Sequence, residues 1–317
     1  MRYLVTGGAG FIGSHLVEEL LGRGQEVVVL DDFSTGLRQN LEPFAGRFRL
    51  IEASVTDPAA CAEACDGVDY VLHQAALGSV PRSVADPVTT HDVNATGTLN
   101  LLQAARGAGV RRVVVASSSS AYGDTEELPK HEGMPPRPRS PYAVSKVTGE
   151  QYCRAFHASY GLETVALRYF NVFGPRQDPG SQYAAVVPLF MSAALDRRPP
   201  TIFGDGEQSR DFTYIGNVVD ANLQACTAGP GATGEVFNIG AGSRTTINQL
   251  WRAISRLLDA GDVQPRHQPP RPGDVRHSLA ALDRATAALG YRPTVDVDEG
   301  LRRTARWYSS ASQPVRG

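Results

Sequence analysis

Tyr142 and Lys146 stand four residues apart in Ser140-Pro-Tyr-Ala-Val-Ser-Lys146, a spacing that puts both on one face of a helix. An ammonium beside a phenol favours the phenolate. Free tyrosine has a pKa of about 10, and bringing it near 7 takes roughly 4 kcal/mol, which a close cation in a partly dry site can supply. The pair therefore reads as a general acid/base poised near neutral pH. Ser118, ending an apolar run, is placed to share a substrate hydroxyl's proton with Tyr142. Asn94, opening a helical stretch, can fix main-chain or water geometry nearby. A lone Tyr-x-x-x-Lys is also an ordinary exposed helical pair, so the reading depends on what else the chain carries.

It carries a dinucleotide fingerprint. Tyr3-Leu-Val-Thr6 is a short buried-strand pattern, followed by Gly7-Gly-Ala-Gly10-Phe-Ile-Gly13 and a helical pattern to about Arg23. With Gly7, Gly10 and Gly13, one glycine makes a tight turn, one lets N–H groups approach a pyrophosphate, and one lets helix and strand pack closely. The helix N-terminus then faces the phosphates with its partial positive charge. The second strand pattern, Glu26 to Leu30, ends in Asp31-Asp32. A carboxylate there takes both ribose hydroxyls and repels a 2′-phosphate, so the cofactor implied is NAD rather than NADP.

Short apolar runs alternate with helical ones through the first half: Phe48 to Ile51, Tyr70 to His73, Arg112 to Ser117 and Thr164 to Arg168, with helices expected over Asn94 to Ala108 and Tyr142 to Tyr160. This predicts an α/β fold, a Rossmann-like doubly wound parallel sheet with ligands beyond the carboxyl ends of its strands. After Pro175 proline and glycine are frequent and the elements shorten, so a smaller C-terminal α/β substrate lobe is expected. The division is 1–175 for the cofactor and 176–317 for the substrate. About 212–240 should pack back on the first part through Glu235-Val-Phe-Asn-Ile239.

The 317 residues, 42% hydrophobic and 20% charged, suit a soluble globular chain of this design. A net charge of −2 offers no attraction to nucleic acid or an anionic membrane. No run is apolar enough to span a bilayer, and a signal peptide is not expected where a nucleotide-binding strand begins at residue 3. Cys61, Cys65, Cys153 and Cys226 lack metal spacing, as do the seven histidines, so a reduced, cytoplasmic protein without a metal is expected.

With Thr6-Gly-Gly-Ala-Gly-Phe-Ile-Gly-Ser14 at one end and Arg271-Pro-Gly-Asp274 near the other, the chain resembles the extended short-chain dehydrogenase/reductases, specifically the NAD-dependent nucleotide-sugar epimerases. Within that group it most resembles UDP-N-acetylglucosamine 4-epimerases of bacterial polysaccharide pathways. That likeness lies in His73 to Ser83, Leu167-Arg-Tyr-Phe-Asn-Val-Phe-Gly174, Gly206-Glu-Gln-Ser-Arg-Asp211 and Gly273-Asp-Val-Arg-His-Ser278. The resemblance implies that Tyr142 takes the proton from the sugar O4 while the C4 hydride passes to tightly held NAD. The keto sugar then turns and the hydride returns to its other face. It also implies a homodimer in which the Asn94 and Tyr142 helices pair into a four-helix bundle.

The cofactor shell implied comprises Gly7, Gly10, Phe11, Ile12, Gly13, Asp31, Asp32, Phe33, Ser34, Thr35, Gly36, Ser54, Val55, Gln74, Ala75, Ala76, Asn94, Ser117, Tyr142, Lys146, Tyr169 and Val172. One position departs from the pattern. Relatives carry Gly-Asp-Ile after the third strand, and Ser54 replaces the carboxylate that reaches the adenine amino group, a loss of about 1 kcal/mol.

For the UDP-sugar substrate, Arg210 and Arg271 are matched to the pyrophosphate and Asp274 to the ribose. Asn171, Ala185, Val186, Ile202 and Phe203 join the same pocket. Related 4,6-dehydratases have an Asp-Glu pair after the active-site hydroxyl, and decarboxylases a glutamate. Ser119 and Ser120 stand there here, which favours epimerisation. Ser278 replaces a bulky tyrosine and leaves room for a 2-acetamido group, with Gly78, Ser79, Ser119 and Gln177 around the sugar. A uronate substrate, with Arg82 on its carboxylate, stays open. So does a dehydrogenase that releases NADH, whereas a non-catalytic NAD sensor would not need Ser118, Tyr142 and Lys146 together.

Overall fold

Runs such as Glu26-Val-Val-Val-Leu30 are apolar on both sides of the strand, which suits a parallel sheet covered on both faces. The computed structural model, which describes residues 1–180, 185–270 and 275–311, has that sheet. Its strands are β1 (Arg2–Thr6), β2 (Glu26–Leu30), β3 (Arg49–Ile51), β4 (Tyr70–His73), β5 (Arg112–Ser118), β6 (Glu163–Tyr169) and β7 (Glu235–Ile239). They lie in the order β7-β6-β5-β4-β1-β2-β3, all parallel. The chain reverses its direction of travel between β1 and β4, which opens a crevice above their carboxyl ends.

The helices used below are α1 (Phe11–Gly22), α2 (Pro58–Cys65), α3 (Gly97–Gly107), α4 (Pro141–Tyr160), α5 (Val186–Leu195), α6 (Ile215–Thr227) and α7 (Ile247–Leu257). Strand alternation sorts the core into two layers. Val5, Val27, Val29 and Val114 pack with Leu16 of α1 and Val218 of α6. Leu4, Val28, Val113 and Val115 pack on the other face with Cys61 of α2, Leu101 of α3 and Cys153 of α4. The first layer runs on into Phe190 of α5, Trp251 of α7 and Leu301, so the later residues share their core with the sheet.

Local sequence sets the start of α4. Ser140 caps it by accepting from Ala143 N–H at 3.1 Å, Pro141 takes the first helical position, and Gly161 ends the helix at φ 72°. Tyr142 is thereby held in the first turn. The stretch from Asn94 to Ala108 differs from expectation. Asp92–Thr96 is a wide π turn, and the α-helix begins only at Gly97. Within that turn the Asn94 side chain accepts from Leu77 N–H at 2.8 Å and donates to Leu77 O at 3.3 Å. No helix among the described residues is long and apolar enough to cross a membrane.

Candidate active site

The glycine loop is tied down by what surrounds it. Gly7 has φ 67°, and a Cβ there would stand 2.7 Å from Ala75 N; at Gly13 it would stand 2.0 Å from Gly7 O. The N-terminus of α1, entered through Gly10, has no side-chain cap, so the first N–H groups, at Phe11 and Ile12, suit a diphosphate. Asp31 is buried and accepts from Ala9 N–H and Phe33 N–H, both at 2.8 Å. Leu37 N–H at 3.0 Å and Asn40 Nδ2 at 2.9 Å both donate to Ala9 O. Asp31 thus anchors the loop as well as standing at the expected ribose position. Burial pushes its carboxyl up, and the two N–H bonds pull it back.

Asp32 is exposed and accepts from Ser34 N–H and Oγ. Phe33 has φ 55° and lies under the Arg38 guanidinium at 3.9 Å, with exposed Thr35 beyond. A Cβ on Gly36 would meet Ala9 Cβ at 2.8 Å. At the position expected to face the adenine, the Ser54 hydroxyl is engaged by Thr56, and Val55 packs against Gly97.

A chain of hydrogen bonds missed by sequence reasoning crosses the crevice floor. Ala75 N–H donates to Thr6 Oγ1 at 3.2 Å, and Thr6 meets His73 Nδ1 at 2.7 Å. Thr98 gives its proton to Asn94 O at 2.6 Å, so its oxygen accepts from His73 Nε2 at 2.9 Å. His73 is therefore the neutral Nε2–H tautomer, and burial pushes its pKa down to about 3. Nearby, Gln74, Tyr169 and Asn222 bond to one another, and Asn222 too had no sequence signal. Ala76 is half-buried beside them. Val172 gives its carbonyl to Gln177 Nε2 at 3.2 Å.

The catalytic candidates converge at the end of β5. Ser120 donates to Ser118 Oγ through both its N–H, at 3.2 Å, and its hydroxyl, at 2.9 Å. The Ser118 hydroxyl also lies near enough to the Tyr142 phenol to favour its ionised form. Lys146 Nζ donates to Ala116 O at 2.9 Å and stands 5.9 Å from the Tyr142 ring centre. Ser117 turns the other way and donates to Glu150 at 2.5 Å, so only its main chain faces the crevice. Asn94 Nδ2 donates to Ser145 Oγ at 3.0 Å, next to Lys146.

In the chain by itself burial raises the Tyr142 phenol, and the nearby Ser118 hydroxyl opposes this. Burial also pushes Lys146 down to about 8, with Glu150 pulling the other way. The ammonium serves the Ala116 carbonyl rather than the phenol oxygen, and desolvation wins.

A second cavity, of about 160 Å³, opens between α5 and the strand Thr201–Phe203. Asn171, Val186, Ile202, Phe203 and Arg210 line it, as the sequence suggested, together with Phe190, Gln208 and Ile247, which it did not. Ala185 immediately precedes α5, next to the lining Val186. Arg210 donates to Ser209 O and Arg276 O. Ser278 is buried, its N–H on Ser209 O at 3.1 Å. Ser79 caps the helix Val80–Ala85, Gly78 is exposed and Ser119 half-buried. The Gln177 side-chain oxygen is buried without a partner among the described residues. Arg271 and Asp274 lie outside the described residues.

The sequence profile of the NAD dependent epimerase/dehydratase family matches residues 3–240. The chain is 42% identical to a UDP-glucose 4-epimerase of Mycolicibacterium smegmatis, over 99% of this chain and 100% of that one. The crystal structure of a Thermotoga maritima UDP-glucose 4-epimerase with UDP-glucose superposes with a TM-score of 0.94 at 39% identity, covering 99% and 100% of the two chains. A UDP-N-acetylglucosamine 4-epimerase of Methanobrevibacter ruminantium, in complex with UDP-N-acetylmuramic acid, gives 0.93 at 41%, with 98% of each chain covered. With the uncapped α1, the glycine turn and Asp31 all fitting a dinucleotide, the cofactor is NAD, and the chain belongs to the NAD-dependent epimerase/dehydratase family.

Proposed function

We propose that this NAD-dependent isomerase inverts C4 of a UDP-hexose, interconverting UDP-N-acetylglucosamine and UDP-N-acetylgalactosamine, with UDP-glucose and UDP-galactose as a secondary pair. The observation that carries it is the convergence of Ser118, Tyr142 and Lys146 at the carboxyl end of β5, at the same end of the sheet as the glycine loop, with Lys146 Nζ on Ala116 O at 2.9 Å. Tyr142 takes the sugar O4 proton and returns it, with Ser118 sharing that proton and Lys146 holding the local charge. Bound NAD supplies the hydride acceptor. Arg210, with Arg271 and Asp274, keeps the nucleotide end in place so that the sugar can present either face.

Several features support this choice over its sister reactions. Ser119 and Ser120 offer no acid–base pair for losing water across C5–C6. Ser278, small and buried, leaves space on the C2 side, where Gly78, Ser79 and Ser119 can face the acetamido group. In this reading residues 1–175 hold the cofactor and 176–317 the nucleotide sugar, with 212–240 returning to the sheet. We also infer a cytoplasmic homodimer in which the Asn94 and Tyr142 helices (Asp92 to Gly107, and α4) pair into a four-helix bundle. Val144 of α4, exposed at 48%, supports an apolar contact there.

The test is a product assay with UDP-N-acetylglucosamine, UDP-glucose and UDP-glucuronate. Fast 4-epimerisation of the acetamido sugar supports the proposal. The name of the 42%-identical relative favours the plain sugar as the second reading, and turnover confined to UDP-glucose would establish it.

A further inference from the structure

We propose that Asp211 is a positioning residue of the nucleotide-sugar site, whose carboxylate sets the spacing between Arg210 and Ser278. The inference rests on the reading that this pocket takes a UDP-sugar. Asp211 is buried, and its carboxylate accepts from three main-chain N–H groups: Ala241 at 2.7 Å, Gly242 at 3.1 Å and Ala280 at 3.1 Å. Those donors belong to two segments far apart in sequence.

Each segment runs past Arg210. On one side Thr245 pairs antiparallel with Arg210, and the loop leading to that pairing ends on Asp211 at Ala241 and Gly242. On the other side Ser209 N–H donates to Arg276 O at 3.0 Å, and Ser278 N–H to Ser209 O at 3.1 Å. Beyond Ser278 the next rung, from Ala280 N–H, lands on the Asp211 side chain instead of a carbonyl. The carboxylate thus completes a ladder that main-chain atoms leave short. The Asp211 carbonyl adds a third tie, accepting from Asn171 Nδ2 at 3.3 Å.

Gly240 makes room for this arrangement, since a Cβ there would stand 2.8 Å from Asp211 Oδ2 and 2.6 Å from Ala280 Cβ. The carboxylate therefore registers Arg210 and Ser278 against one another, while the main-chain carbonyl of the same residue holds Asn171. Tyr142 and Lys146 are held by separate bonds on α4 and β5, so a change at Asp211 should fall on binding rather than on proton transfer.

Asp211→Asn replaces one acceptor oxygen with an N–H₂ that faces N–H donors. In the NAD-loaded protein, the Kd for UDP by calorimetry and the KM for the turned-over UDP-sugar are expected to rise about tenfold, a change the loss of one or two hydrogen bonds produces. The kcat is expected to fall far less, and bound NAD to stay unchanged. Wild-type affinity for UDP in the variant overturns the inference and leaves the epimerase reading standing. Failure of the wild type to bind UDP overturns both. Should the variant not fold, hydrogen exchange on the wild type decides. The amides of Ala241, Gly242 and Ala280 are expected to gain protection together on saturation with UDP, and no change in any of them overturns the inference.

Discussion

Lys146 spends its ammonium on the carbonyl of Ala116, at 2.9 Å, and that bond registers α4 against β5 at the reacting end of the sheet. The neighbours extend it into a ladder. Ser117 donates to Glu150, so two consecutive strand residues are tied to helix residues spaced one turn apart, with Ser118 set beside Tyr142 one turn earlier. Glu150 in turn holds Arg168 through two bonds of 2.7 Å, both side chains buried.

Tyr142→Phe removes the proton carrier while leaving the ring's packing. The kcat for C4 inversion should fall by about 10²–10⁴. Bound NAD content and UDP affinity should stay at wild-type values. A variant that keeps half of its turnover would remove Tyr142 from the mechanism.

Glu150→Gln takes away the charge that opposes the desolvation of Lys146, so the ammonium should lose its proton below about 8. The alkaline limb of the kcat profile then moves to lower pH. The variant also strands the buried Arg168 cation, at about 3–5 kcal/mol of stability. Replacing both residues by leucine should recover most of that stability yet leave the limb displaced, which denaturant melts and pH–rate profiles would separate.

Gly13→Ala puts a methyl group 2.0 Å from Gly7 O, whereas at Gly10 the same atom would stand at 3.1 Å. The first variant should be purified without NAD and the second with most of it. Equal cofactor content in the two, measured by absorbance after denaturation, would contradict this account of the loop.

Ser278→Tyr fills the space assigned to the acetamido group. kcat/KM for UDP-N-acetylglucosamine should drop roughly tenfold or more, as overpacking by about 1–3 kcal/mol predicts, with UDP-glucose much less affected. Equal losses on both sugars would place the acetamido group elsewhere.

His73 makes stability depend on pH in a stated direction. Its pKa falls from 6.5 to about 3 on folding, so the unfolded chain binds the extra proton between those values. The contribution is complete above 6.5 and is lost as pH falls towards 3, at about 1.4 kcal/mol per pH unit. Asp211, raised by burial to about 6, acts in the opposite sense, losing stability as pH rises from 3.8 through 6. His73→Gln should flatten the acid slope of the melting temperature between pH 6.5 and 5.

Much of this was legible in the chain. Val-rich runs read as strands and met their predicted bounds within a residue or two, as with Tyr70–His73 and Glu235–Ile239. The cap at Ser140, the proline after it and the glycine at 161 act within one turn of helix, so neighbours in sequence were enough to place Tyr142. The π turn at Asp92–Thr96 was not legible, and neither was the contact that Asn94 within it makes with Leu77 across the crevice.

By itself the sequence determined the parallel sheet, the glycine loop, the first turn of α4 and the Tyr142–Lys146 spacing, since periodicity and capping are short-range effects. Only the tertiary structure decided which polar groups would meet. Gln74 and Asn222 are 148 residues apart, Thr6 and His73 67 apart, and Asp211 and Ala280 69 apart. Only it decided the electrostatics as well. Burial raises Tyr142 and lowers Lys146, because a charge's free energy depends on how much water the fold removes from around it, and residue spacing carries no record of that.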